Sequence, residues 1–413
     1  MSTGHETKPV KQWQMILKRQ ATANVHRWLH LLNSKEDPTL FLAQNYDNIL
    51  RSLETILPHE EQLNLTLELI KAISPFIFNF ADWDRWLTYL DKALAQTIHC
   101  QQIEDQAYLL IEMGAIHQAR GEWQKALDHF EQSERLYLQL NLSVKYARAL
   151  NRRGVMLCSL GQIGESLKLC QQALSLAEEF KAEDIVAEAR WNLTAVYQKA
   201  HLWEKALLTA REAIVHYQQN ASNASRHTLQ RLIIISLSKL GRSEETATQA
   251  QLLLDELTQA GEIQKLAALQ VDLGVIAFEQ NNYRVAEKHW YEALQLYSQI
   301  QNPHDQAVLH NNLGYLYTKL EEWETAEVML LQAIRIYAEL GDTYNQVDTM
   351  DNLAELYEAQ NKGEARGRVL AQAIHLLEQV DRSPTPYYQE LFAKFTGQYH
   401  QLCETITTKP LEG

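Results

Sequence analysis

The chain has 413 residues, of which 46% are hydrophobic and 22% charged, and its formal net charge is −14. That acidic balance argues against a general nucleic-acid binder, which carries a basic footprint; 15 Gly and 8 Pro leave little room for turn-rich β structure or long linkers. The four cysteines, Cys100, Cys158, Cys170 and Cys403, make no C-x-x-C pair or zinc spacing, which excludes a disulfide framework and points to a reducing, cytoplasmic compartment. No apolar run approaches the roughly 20 residues of a membrane span, and no secretory signal is expected at the N-terminus.

In chain order, residues 11–33 read as an amphipathic helix. Trp13, Ile16, Leu17, Val25, Trp28 and Leu32 gather on one side, and Lys11, Lys18, Arg19 and Arg27 make it basic. Its leading reading is a helix that caps the open end of a repeat array; the second is a helix lying on a membrane surface. His26 and His30 are four apart, but with no third ligand in view they are not taken as metal ligands. Residues 40–57 form another helix before Pro58.

From Ser74 onward, every fortieth residue is Ser74, Gly114, Gly154, Thr194, Ile234, Gly274, Gly314 and Ala354. Six of the eight are small. Nineteen residues further along, a second register reads Ala93, Ser133, Ala173, Ala213, Leu253, Ala293, Ala333 and Ala373. Two registers kept over seven intervals without insertion or deletion mark a solenoid. Within residues 107–140, apolar side chains recur every three and four residues on both sides of Gly121, so one unit is two amphipathic helices. Small residues sit where the helices approach, and Trp123 opens the second. The units around Ser74, where Pro75 falls in the expected first helix, and around Ile234, Thr246 and Leu253 are the least regular. Ser383-Pro384-Thr385-Pro386 then breaks the array, Tyr387–Cys403 predicts a last capping helix, and the tail TTKPLEG is expected to fray.

Asn312-Leu-Gly-Tyr-Leu-Tyr317 followed by Trp323, Ala326 and Ala333 resembles the tetratricopeptide repeat. Leu193 and Tyr197 with Trp203, Ala206 and Ala213 match nearly as well; Leu353, Tyr357 and Ala373 match in part, with Arg366 where a small residue is expected. The usual period is about 34 residues, so each unit has about six more, which lengthen both helices around the turn between repeats. HEAT repeats have a similar length but fit the small-residue registers and the opening Trp less well. The resemblance implies an all-α, right-handed superhelical solenoid of about eight helix-turn-helix repeats with capping helices at both ends. The expected division is 1–63, N-terminal helices; 64–380, the repeats; 381–413, the C-terminal cap and tail.

No nucleophile elbow, P-loop, dinucleotide glycine pattern or H-E-x-x-H is present, so no catalytic residue, cofactor or metal is assigned. In the family, the first helix of each unit lines a concave groove, and an asparagine two residues before the small register often bonds a partner's backbone. An amide donates and accepts at once, matching N–H and C=O together. Asn192, Asn312 and Asn352 hold that position, with Asn151 and Asn311 beside them. Arg148, Arg152, Lys199, Arg231 and Lys239 read as a basic middle, and Asp272, Glu279, Asp348, Asp351, Glu355 and Glu358 as an acidic C-terminal third. Trp191, Phe278 and Tyr315 are candidate anchors. The resemblance implies a non-enzymatic protein-interaction scaffold, an adaptor or assembly factor gripping a protein or extended peptide. The alternative is a peptide-sensing regulator acting through a change in solenoid shape, against which residues 1–63 offer too little for a helix-turn-helix.

Overall fold

The computed structural model describes residues 8–34, 38–79, 82–219, 223–379 and 386–407. It divides into two compact units, Met1–Leu202 and Trp203–Gly413. The described residues form an all-α helical-repeat solenoid. The first unit holds α1 (Lys8–Asn33), α2 (Thr39–Ile56), α3 (Leu63–Ile73), α4 (Trp83–His99), α5 (Ile103–Ala119), α6 (Trp123–Gln139), α7 (Ser143–Ser159), α8 (Ile163–Glu179) and α9 (Glu183–Lys199). The second holds α10 (Trp203–Gln219), α11 (Asn223–Lys239), α12 (Ser243–Ala260), α13 (Ile263–Glu279), α14 (Tyr283–Gln299), α15 (Pro303–Lys319), α16 (Trp323–Leu340), α17 (Thr343–Ala359), α18 (Gly363–Gln379) and α19 (Pro386–Thr407). The Ser383-Pro384-Thr385 break and the tail beyond Thr407 lie outside the described residues.

From the end of α4 the backbone turns left-handed at twenty-residue intervals among the described residues. Positive φ occurs at Gln101, Gly121, Asn141, Gly161, Lys181 and His201 in the first unit, and at Gly241, Gly261, Asn281, Gln301, Glu321, Gly341 and Asn361 in the second. Each closes the preceding helix with two backbone bonds. At the end of α5, Gly121 N donates to Gln118 O at 3.0 Å and Glu122 N to His117 O at 2.9 Å. This six-to-one and five-to-two pair satisfies carbonyls that the helix end would leave open. Side-chain N-caps are few by comparison: Asn302 and Asp342 each accept from the backbone N three residues on.

The forty-residue register is a record of close helix approach. A Cβ on Gly114 would lie 2.5 Å from the Phe130 ring, one on Gly154 2.5 Å from Cys170 Sγ, one on Gly274 2.3 Å from the Trp290 ring and one on Gly314 2.6 Å from Leu330 Cγ. Each glycine therefore receives the bulky residue sixteen positions on. Phe130 is fully buried, which stabilises by about 1.5–3 kcal/mol. At Ile234 the sizes exchange: the sixteenth residue on is Ala250, and the two share one buried cluster. The unit that looked degenerate is thus compensated at this contact. Thr246 and Leu253 still stand where most other repeats have alanine, and α12 packs less closely on α11 and α13 than α6, α8, α14 or α16 does on its neighbours.

Both ends of the array are covered. The C-terminal part of α1 buries Ala21, Val25 and Leu32 with Leu42, Ile49 and Leu53 of α2 and Leu69 of α3. Helix α3 stops at Ile73, and Pro75 lies in a 3₁₀ turn, Ser74–Asn79, not inside a first helix, because proline has no N–H to donate to the carbonyl four residues back and its ring crowds that carbonyl. At the other end α19 packs Leu391 and Phe395 against Val347, Met350, Leu370 and Leu377 of α17 and α18.

Candidate partner-binding surface

The first helices of successive repeats lie side by side, as with α7 beside α9, α11 beside α13 and α15 beside α17. The small residue of each faces its own second helix. Two positions earlier is about 200° around the helix, so the residues there form a row on the opposite face. On that face Arg152 and Asn192 of the first unit, and Leu232, Asp272, Asn312 and Asn352 of the second, are all half-buried. A twenty-residue backbone metre and a forty-residue packing register together place them.

In the first unit, Arg148 and Arg152 of α7 both reach Glu188 of α9, at 3.5 and 3.0 Å. Burial raises the Glu112 carboxyl on α5 above its usual range, while Arg152 and Arg148 oppose that rise. Trp191 and Asn192 are half-buried on α9 and Lys199 is exposed at its end. Asn151 is different. It is fully buried, and neither of its amide atoms has a hydrogen-bond partner. It lies three residues before the register, one step closer to the packed flank, and does not join the open row.

In the second unit, Arg231 Nε meets Asp272 at 2.6 Å and Lys239 meets Glu279 at 2.5 Å. Burial raises the Asp272 carboxyl, with Arg231 pulling the other way. Asn352 Nδ2 donates to Asn311 Oδ1 at 2.9 Å. The expected division into a basic middle and an acidic end is therefore largely neutralised: cations salt-bridge carboxylates about one repeat away. Asp351 is likewise paired with Lys394 of α19, and Glu358 with Arg366 at 2.8 Å.

What stays available is a patch centred on α15. Asn312, Tyr315 and Lys319 follow one stripe at spacings of three and four. The Tyr315 ring lies 5.6 Å from Phe278 of α13, and Phe278 lies 5.3 Å from Tyr283 and 5.7 Å from Trp290. The Lys319 ammonium sits 4.7 Å from the Tyr315 ring centroid. Among the described residues, the Asn312 amide has no hydrogen-bond partner, and its side chain is half-buried. A tilted aromatic pair, an amide with donor and acceptor open, and a cation thus meet across two successive repeats. Tyr283, Trp290 and Lys319 were not among the sequence candidates; Tyr283 stands where other units open with tryptophan, which was the signal for it.

A family model described as tetratricopeptide repeat matches residues 145–219, 265–339 and 305–368. These segments belong to the tetratricopeptide-repeat family. Among solved structures, aspartyl phosphate phosphatase F from Bacillus subtilis is 14% identical over 81% of this chain and 96% of its own, with a TM-score of 0.55. A signal-transduction ATPase with numerous domains, carrying a tetratricopeptide repeat sensor, from Pyrococcus horikoshii is 14% identical over 91% of this chain and 55% of its own, with a TM-score of 0.58. At such identity these tetratricopeptide-like likenesses show a shared fold. No curated protein matches the chain. Among the described residues no three His, Cys, Asp or Glu side chains gather to hold a metal, and no helix is long and apolar enough to cross a membrane.

Proposed function

We propose that the protein is a cytoplasmic, non-enzymatic scaffold that binds an extended segment of a partner protein along the first-helix faces of its repeats. The tetratricopeptide fold generally serves protein interaction, since stacked units expose a long surface to a partner. The observation that carries the reading is the half-buried, unpartnered Asn312 amide beside the Phe278–Tyr315 pair. The Asn312 amide can exchange its water for a ligand, since it donates and accepts at once and a peptide backbone supplies one N–H and one C=O at amide spacing. The aromatic pair would receive an apolar or aromatic side chain of the same segment. Asn192 and Trp191 offer the same pairing in the first unit. Asn352 and Asn311 are a second-row contact: their mutual bond would open to admit a backbone.

The test is affinity capture of full-length protein from its native host, with mass spectrometry of what co-purifies. A stoichiometric protein partner is expected, and Asn312→Ala or Tyr315→Ala should weaken it by about tenfold or more, as for a residue at an interface centre. Capture that is indifferent to both substitutions rejects this placement. A second reading, a peptide sensor, has one specific support: the looser packing of α12 provides a place where the array could change pitch. Capture of a short peptide alone, together with altered protection of α12 in hydrogen exchange, would favour it over the scaffold.

A further inference from the structure

We infer that the N-terminal half of α1 is an interfacial helix that seats the protein on an anionic lipid surface. The apolar stripe of α1 runs through Trp13, Leu17, Ala21, Val25, Trp28 and Leu32. Its second half is used in the core: Ala21, Val25 and Leu32 are buried, and the half-buried Trp28 donates from Nε1 to Ser52 Oγ at 3.2 Å. Its first half is not. Trp13 is 64% exposed, Ile16 44% and Leu17 57%. The same stripe thus extends beyond the body it packs on, and three large apolar residues at spacings of three and four meet water. Three exposed apolar side chains that adjoin on one face are a surface that soluble monomers rarely leave uncovered.

The charge distribution selects the occupant. Residues 8–33 contain five Lys and Arg and no Asp or Glu, in a chain whose net charge is −14. Lys18 is held by Glu61, whereas Arg19 is exposed; both lie, in helical register, on the side of α1 turned away from Trp13 and Leu17. Apolar residues with a tryptophan on one face and basic residues on the other suit a helix lying in the headgroup region. Anionic headgroups attract the basic face while the remaining acidic chain is kept at a distance. The helix is too polar to span, so the contact is peripheral and reversible.

Flotation of the full-length chain with phosphatidylcholine vesicles, with and without phosphatidylserine, tests this. Binding should appear only with phosphatidylserine and weaken as salt rises. Trp13→Ser with Leu17→Ser should lower the bound fraction about tenfold, and Arg19→Glu should lower it several-fold. All three side chains are exposed, so circular dichroism and melting should stay unchanged. Equal binding to both vesicles, binding to neither, or binding indifferent to these variants overturns the inference. So does a Trp13-dependent dimer in light scattering, since a second copy would then cover the stripe.

Discussion

Replacing Gly274 with alanine isolates the contact that sets the forty-residue spacing. Alanine in place of a mid-helix glycine would ordinarily gain about 1 kcal/mol of helix propensity. Here the new Cβ would stand 2.3 Å from Trp290 Cδ1 and Nε1. The indole cannot swing away freely. It is 3% exposed, stacked against Phe278, and donates to the Val271 carbonyl at 3.2 Å. Moving it costs about 1–3 kcal/mol of overpacking and about 1 kcal/mol of hydrogen bond. The gain and losses leave Gly274→Ala destabilised by about 2 kcal/mol. Urea unfolding followed by far-UV circular dichroism measures this, with a midpoint shift at constant slope as the expected signature. In a Trp290→Ala background the same Gly274→Ala change should cost much less, because a small second-helix residue accepts the Cβ, as Ala250 accepts Ile234. A neutral or stabilising Gly274→Ala, or a double variant whose effects simply add, would refute the close-approach account.

Arg231→Glu places two carboxylates where one ion pair stood; with the guanidinium partly exposed, about 2 kcal/mol is expected to be lost, and Asp272→Arg in the same chain should restore part of it in urea melts. The left-handed turn at Lys181 has φ of 52°, so Lys181→Gly relieves about 1 kcal/mol of backbone strain and should raise the melting temperature by a few degrees; an unchanged or lower value would show that the turn is unstrained. His304 is hydrogen-bonded to Asp305 and Asp342, which raises its pKa to about 9. A raised cationic pKa contributes stability fully below the unfolded value near 6.5 and loses it as pH climbs through about 9. The wild type should therefore melt higher than His304→Gln at pH 6, and that gap should close by pH 10.

The fold was legible because close packing leaves a residue-type trace. Gly114, Gly154, Gly274 and Gly314 cannot be larger while Phe130, Cys170, Trp290 and Leu330 occupy the facing positions, so the spacing shows in the letters. The twenty-residue turn ladder was half hidden. It is built from backbone bonds that no side chain makes, and Lys181, His201, Gln301 and Glu321 hold turns that elsewhere fall to glycine. Ile234 looked like decay because its compensation sits sixteen residues away at Ala250. The charges were misjudged for a related reason: Arg231 and Asp272 lie forty-one residues apart, and Lys239 and Glu279 forty, so reading the groove as separate basic and acidic stretches overlooked that the same ruler brings them together. Asn151 was misplaced by a single residue, enough to rotate it by about 100° from the open row into the packed flank. The spacing alone puts Asn312 on the face opposite the small register, whereas the approach of Lys319 to the Tyr315 ring is a side-chain contact that no spacing reveals.

The repeated turn also says how such a chain can change length without losing its shape. From α4 to α18 every described junction uses the same two backbone bonds, so a splice made at one of these left-handed residues reproduces a legal helix end. Only splices that add or remove multiples of forty residues return each glycine to its bulky counterpart and each cation to its carboxylate; a shift of twenty would exchange inner for outer helices along everything downstream. The chain is therefore open to recombination in whole units and closed to half units. That is a rule of inheritance written into its backbone geometry, and it accounts for two registers that run over seven intervals without an insertion or a deletion.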